Sequence, residues 1–379
     1  MKKRIFSLFL CVLISLSFVA CGGTSPADDS VQTDSDKTSV NVSTKTDKNT
    51  DTNDGDTDEK EEEIPGYDPT MEHKFIACDI ISHGIVVFDL NACDGDFQRL
   101  TDDDVAVVWE WDPEEDPNLK TKGPNLGIDS AKYRYSSYYE KDVMIACSSN
   151  GWVGIIDYEA KTLLWETTVS GGPHSVEMLP NGDLVVGCSS KPGALVYYAI
   201  SAGYNKKVHS IPSLYCHGVS WDPEEECLWV LEHTGVYAAV IENMGTKNGK
   251  IIRIDRSGAQ FPKNYTGGHA FSPVAGQPGR YWASSGGDLW QFDANDEKMY
   301  SNYPMNLYLS RGSIKGVTSF ADGTVIETIG GIGNNSQSWS SAGFLIVTRD
   351  RETQEVKSEY VLFDHRDFYK IQPFTKDYQ

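Results

Sequence analysis

Short apolar runs recur from about residue 75 to the C-terminus, each four to seven residues long and closed by glycine or a polar pair. Five of them read alike: Phe75-Ile-Ala-Cys-Asp79, Met144-Ile-Ala-Cys-Ser148, Leu184-Val-Val-Gly-Cys188, Trp229-Val-Leu-Glu232 and Tyr281-Trp-Ala-Ser284. A weaker sixth is Val325-Ile-Glu-Thr-Ile329. Each is followed by a glycine-led apolar run, as in Gly84-Ile-Val-Val-Phe-Asp89 and Gly151-Trp-Val-Gly-Ile-Ile-Asp157, and then by a more polar one such as Val107-Val-Trp-Glu-Trp111. Runs this short, rich in branched and aromatic residues and bounded by turn formers, predict strands. No stretch carries the spacing of an amphipathic helix.

A further run precedes most of these. Pro173-His-Ser-Val-Glu-Met-Leu-Pro-Asn-Gly182 matches Cys216-His-Gly-Val-Ser-Trp-Asp-Pro223, Gly268-His-Ala-Phe-Ser-Pro273 and Ile314-Lys-Gly-Val-Thr-Ser-Phe-Ala-Asp-Gly323. The Asn-Gly and Asp-Gly pairs predict hairpin turns whose first residue adopts positive φ. The unit is therefore four antiparallel strands repeating about every 40–50 residues, the period of a propeller blade. The chain is read as all-β: a six-bladed β-propeller of four-stranded antiparallel blades over residues 66–379. The first unit lacks an innermost strand, and Phe368-Tyr-Lys-Ile-Gln-Pro373 is expected to supply it, closing the ring with no free edge.

The N-terminus changes the picture of where the domain works. Lys2, Lys3 and Arg4, an apolar run from Ile5 to Phe18, and Val19-Ala20-Cys21-Gly22 together have the layout of a signal peptide over residues 1–20. Cys21 resembles the lipidated cysteine of bacterial lipoproteins, with Phe18 standing where that pattern usually has Leu. From Cys21 to residue 65 the chain is Thr, Asp, Ser, Lys and Glu, too polar to bury a core and so read as an acidic, disordered tether. Together these predict an extracytoplasmic protein, lipid-anchored to a cell membrane or outer membrane. The net charge of −22, without basic runs, excludes nucleic acid as a partner class. A monomer is expected. Of eight cysteines, Cys11 and Cys21 belong to the leader; the other six form no C-x-x-C pair and read as buried free thiols.

Candidate chemistry comes from the register of the innermost strands. A fourteen-residue step back from the repeated strand leads from Cys188 to His174, from Leu231 to His217, from Ala283 to His269 and from Ile329 to Lys315. One extra residue takes Cys147 to Lys132, and the C-terminal strand offers Lys370. These side chains are expected to converge near one mouth of the axial channel. The plainer account is a wet, polar channel lining with no ligand. Against it, so many cationic or titratable groups at one level repel one another unless something offsets the charge.

Two sharper readings follow. His174, His217 and His269 on adjacent blades are a candidate site for a divalent metal, zinc or similar. The lysines, with the histidines as hydrogen-bond or proton-transfer partners, are a candidate site for a carboxylate, sulfate or phosphate, and an acidic saccharide fits a surface protein. Metal and lysines sharing one uronate would suit lyase chemistry. Arg134, Tyr133 and Arg311 flank the strands, and Trp339 sits in a Gly/Asn/Ser-rich loop placed to overhang the mouth. Asp79 and Glu232 follow the repeated strand; His73, His83, His209, His233 and His365 are off register. The rival function is a non-catalytic propeller that scaffolds envelope proteins through its rim.

The phrases "PHSVEMLPNGDLVVGCSS", "CHGVSWDPEEECLWVL", "GGHAFSPVAG", "KGVTSF" and "SWSSAGFLIV" resemble an uncharacterised bacterial family, a domain of unknown function among six-bladed, WD40/YVTN-like propeller lipoproteins. The resemblance spans Phe75 to Lys370 and implies the propeller, with no activity to import. Family members often carry a Trp-rich version of the loop around Trp339, where this chain has one Trp. More distantly, three histidines at a propeller centre are similar to peptidylglycine amidating lyase and to metal-dependent oligouronate lyases.

Overall fold

Strands that pack on both faces need apolar residues at consecutive positions, and the repeated runs supply them. In the first such strand, Lys74–Asp79, Phe75 and Ala77 enter one core cluster while Ile76 and Cys78 enter the next. The computed structural model describes residues 65–378 except 121–125, 256–258, 263, 302, 304, 311, 334 and 335. The leader over residues 1–20, Cys21, the tether up to residue 64, and Arg311 lie outside the described residues.

Six four-stranded antiparallel sheets form the blades. Blade one joins both ends of the domain: Phe368–Pro373 pairs with Lys74–Asp79, followed outward by Ile85–Asp89 and Val107–Trp111. The innermost strands of blades two to six are Ser130–Ser136, Pro173–Met178, Gly218–Asp222, Phe271–Pro273 and Ile314–Ser319. They contact one another in sequence, and Phe368–Pro373 touches both the last and the first of them, which closes the ring. The expected closure by the C-terminal strand is what the structure has.

The core is divided among the gaps between blades. At the closing gap, Phe344 and Phe368 stack with ring centroids 4.6 Å apart, and Phe75 meets Phe344 edge-on at 5.1 Å. Ion pairs reinforce the same junction. Arg366, just before the closing strand, reaches Asp79 at 2.9 Å, Asp103 at 2.9 Å and Glu110 at 3.2 Å. The buried pair of His73 Nε2 and Asp322 Oδ2, 2.7 Å apart, ties the segment entering blade one to blade six. The cysteines at 78, 93, 147, 188, 216 and 227 are all free and buried, as their scatter in the sequence suggested.

One local expectation is corrected. The Asn181-Gly182 and Asp322-Gly323 turns carry positive φ at glycine, +87° and +89°, and not at the residue before it. Gly182 N–H donates to Leu179 O and Gly323 N–H to Phe320 O. These are type I turns, and Pro180 at the second turn position fixes the φ that starts one of them.

Candidate functional site

A repeated triplet builds the mouth of the channel: a polar residue, a small one, then an apolar one. It reads His174-Ser175-Val176, His217-Gly218-Val219, His269-Ala270-Phe271 and Lys315-Gly316-Val317 on blades three to six. The small residue is required by the neighbouring strand. A Cβ on Gly218 would lie 2.2 Å from Phe271 Cβ, and one on Gly316 would lie 2.4 Å from the Ile371 backbone nitrogen. Innermost strands that approach this closely crowd the polar residue beside each small one. At blades three and six the ladder shifts register between Pro173 and Ser175 and between Ile314 and Gly316, which leaves His174 and Lys315 outside the pairing.

The result is a contiguous arc. The imidazoles of His174 and His217 meet edge-on with centroids 4.7 Å apart, and those of His217 and His269 at 4.6 Å. Lys315 Nζ lies 3.4 Å from His269 Nε2. His174 Nδ1 is 2.9 Å from the Gly172 carbonyl and 2.8 Å from Ser189 Oγ; His217 Nδ1 is 2.9 Å from the Tyr215 carbonyl. A carbonyl only accepts, so both of these ring nitrogens carry their proton. His174 and His269 are partly exposed, whereas His217 and Lys315 are buried. Burial, then the charges of His269, His174 and Lys370, holds His217 well below the usual imidazole range. Burial, then Lys315 and Lys370, does the same to His269. His217 and His269 are thus held neutral and resist further positive charge.

Below it the channel is strung across by long side chains. Lys370 on blade one donates to the carbonyls of His174, at 2.8 Å, and of His217 on the opposite blade. Burial pushes Lys370 down to about 8, against the pull of the Cys147 thiol and Asp129. Gln372 Nε2 on blade one bonds Phe271 O on blade five at 3.2 Å, and Lys132 on blade two bonds Val219 O on blade four. Further down, the residues after the closing strand cover the other end. Arg134 donates to Thr375 O at 3.0 Å and lies over the Tyr378 ring, while Phe374 stacks on Tyr133 with centroids 4.3 Å apart. The channel is a cup with a floor.

Two sequence assignments shift on this geometry. Lys132 is not at the level of the histidines. It pairs with Ile145 inside its strand and makes a buried ion pair with Glu177 at 2.8 Å. Arg134 grips the same Glu177 with Nε at 2.8 Å and Nη2 at 3.0 Å. Both cations are thereby committed to a carboxylate below the mouth. The blade-two counterpart of His217 is instead Asp129. The N–H of Asp129 bonds Cys147 O and Ser130 pairs with Cys147, just as the N–H of His217 bonds Leu231 O and Gly218 pairs with Leu231. Asp129 was missed because the blade-two hairpin is longer, with both strands running seven residues. The signal was present: Asp129-Ser130-Ala131 repeats the polar–small–apolar triplet. Burial raises the Asp129 carboxyl, while His174, the Ser149 N–H and Lys370 draw it back down.

Other candidates divide. Trp339 is 42% exposed and meets Tyr369 edge-on at 6.1 Å, and Tyr369 meets His174 at 6.0 Å, so the loop stands beside the mouth. Asp367 holds that loop by accepting from Ser336 and Ser340. Asp79 is bound to Arg366 and Glu232 to Arg253, so neither is offered to the cup. The three histidines come together but do not fit a three-histidine metal centre as they stand. The Nδ1 anchoring of His174 and His217 is the way metal-bound imidazoles are commonly oriented. His269, however, directs Nε2 at the Lys315 ammonium. Among the described residues no group of three His, Cys, Asp or Glu side chains is placed to hold a metal ion.

A model of a family of unknown function, DUF6528, matches residues 97–328, more than half of the chain. The chain belongs to that family. DUF6528 carries no described activity in its name, and among curated proteins none matches the chain. The fold is similar to that of a chain in the crystal structure of a mitotic checkpoint complex, at 12% identity and TM-score 0.42 over 86% of this chain and 91% of that one. A functionally unknown protein from Desulfotomaculum acetoxidans is similar at 11% identity and TM-score 0.46, over 78% of this chain and 82% of that one.

Proposed function

We propose that this DUF6528 propeller binds an anionic small molecule or an acidic saccharide in its central cup, and that a lipidated Cys21 holds it at a membrane outside the cytoplasm. The observation that carries the reading is the arc of His174, His217, His269 and Lys315, with ring centroids within 4.7 Å and a buried Lys370 beneath. The Lys315 and Lys370 ammonium groups supply donors and positive potential to one small volume, and an arriving anion relieves their repulsion. An imidazole whose Nδ1 proton is bonded to a carbonyl offers Nε2 as an acceptor for a sugar hydroxyl. The exposed Trp339 stands beside the mouth as an apolar face for a sugar ring, backed by the buried Tyr369.

D-galacturonate titrated into the full chain at constant ionic strength tests this. Lys315→Met is expected to weaken binding by about tenfold or more, the worth of one charge-assisted hydrogen bond, and His217→Ala by about threefold, the worth of a neutral one. The pH dependence has a definite sign. A bound anion raises the Lys370 pKa above its unliganded value of about 8, so affinity falls as pH rises past 8 toward the raised value. Unaltered affinity in both variants would remove the cup from the reading.

Two further readings have support of their own. A divalent metal on the histidines, and with it lyase chemistry, is favoured by the Nδ1 anchoring of His174 and His217 and requires Lys315 to leave His269. Stoichiometric metal in protein purified without a nickel column, lost in His174→Ala/His217→Ala/His269→Ala, is its expected signature. Scaffolding through the rim is favoured by Leu307 and Tyr308, 81% and 46% exposed, and predicts indifference to every substitution in the cup.

A further inference from the structure

The arc is not uniformly cationic. Four blades present His174, His217, His269 and Lys315 at the mouth, with Lys370 of blade one buried beneath them, and blade two presents the Asp129 carboxylate at the level of His217. Around the ring, Asp129 stands between Lys370 on blade one and His174 on blade three, and both act on its charge. His269 on blade five lies across from it, with Lys315 beside it on blade six. The Ser149 backbone N–H donates to Asp129 Oδ2, which fixes the carboxyl against its own blade. The cup therefore has a donor pole at Lys315 on blade six and an acceptor pole at Asp129 on blade two.

We propose that Asp129 is a specificity-determining residue that makes the cup select hydroxylated acids, the sugar acids among them, over anions that carry no hydroxyl group. This rests on the anion-binding reading above and deepens it. A plain carboxylate gains from the Lys315 ammonium but meets repulsion from Asp129. A hydroxylated acid places its carboxylate at the donor pole and donates a hydroxyl to Asp129, turning the repulsive group into a charge-assisted acceptor. Selection against a ligand that leaves a buried polar group unpaired is stronger than selection by shape alone. No covalent step is involved: the hydroxyl proton stays on its oxygen and the carboxylate of Asp129 accepts a hydrogen bond.

The matched probes are D-galacturonate and tetrahydropyran-2-carboxylate, which share ring and carboxylate and differ in hydroxyls. Their affinities for the full chain are compared with those for Asp129→Asn and Asp129→Ser, each checked by thermal melting for an intact fold. The wild type is expected to prefer galacturonate by about tenfold or more, the worth of one such bond. Both variants are expected to cut that preference to about twofold, with tetrahydropyran-2-carboxylate bound as well as before or better. Unchanged preference in the folded variants, or equal loss for both probes, overturns the role of Asp129 alone. Failure of the wild type to bind either probe overturns the cup reading and this inference with it.

Discussion

Replacing Glu177 by alanine is expected to lower the unfolding free energy by about 3–5 kcal/mol, the cost of stripping the partner from a buried ion pair. Glu177 is fully buried and accepts from Lys132 at 2.8 Å and from two nitrogens of Arg134. Without it two ammonium and guanidinium charges stay in the channel with only carbonyl partners. Since a domain's whole net stability is about 5–15 kcal/mol, the loss is a large part of it. Urea unfolding of wild type and variant measures the difference. A change below about 1 kcal/mol would mean that water reaches the pair. The triple change Lys132→Met/Arg134→Met/Glu177→Met is expected to recover most of the loss, because replacing all partners leaves no orphaned charge. Acid should act in the same direction. Burial works to raise the Glu177 carboxyl, but Arg134 and Lys132 hold it below its ordinary value of 4.5. Its stabilisation is therefore present above pH 4.5 and lost as pH falls through the lowered folded value.

Ending the chain after Asp367 is expected to abolish cooperative unfolding altogether. The cut removes the innermost strand of blade one and leaves the ladder edge of Lys74–Asp79 open. It also takes Phe368 and Ile371, both fully buried, from the closing core; losses of about 2–5 kcal/mol for each such side chain add to the lost strand pairing. That total meets or exceeds the stability available. Near-ultraviolet circular dichroism and a thermal melt would show it; a sharp transition near the wild-type temperature would mean that five blades and three strands suffice. Ending the chain after Phe374 is the control. It spares the strand and strips the cover over Arg134 together with the Lys376–Asp142 ion pair, so the transition should persist at a lower temperature.

Most of the fold was legible because packing between blades imposes a visible rule: a strand covered on both faces has no polar alternation to hide its ends. Phe368–Pro373 could be placed as the missing strand because blade one otherwise opens with a second strand. The site was legible only where hairpin lengths are equal. His174, His217, His269 and Lys315 fell at one level by a constant step, and the structure brings them into contact. That step fails at blade two, whose strands run seven residues each, and it selected Lys132 where depth belongs to Asp129. The commitment of Lys132 and Arg134 to Glu177 was invisible for a different reason. Glu177 reads as an ordinary polar position in its strand, and only the convergence of two blades shows two cations sharing it.

Lys370, Lys132 and Gln372, strung across the channel between blades that are not neighbours, carry a consequence for whatever enters. A pore open at both ends lets a polymer thread and be read anywhere along its length. A blind well admits a polymer by its terminus or by a protruding side group alone, and the guest must leave by the door it came in. Occupancy of such a well counts chain ends, not chain mass.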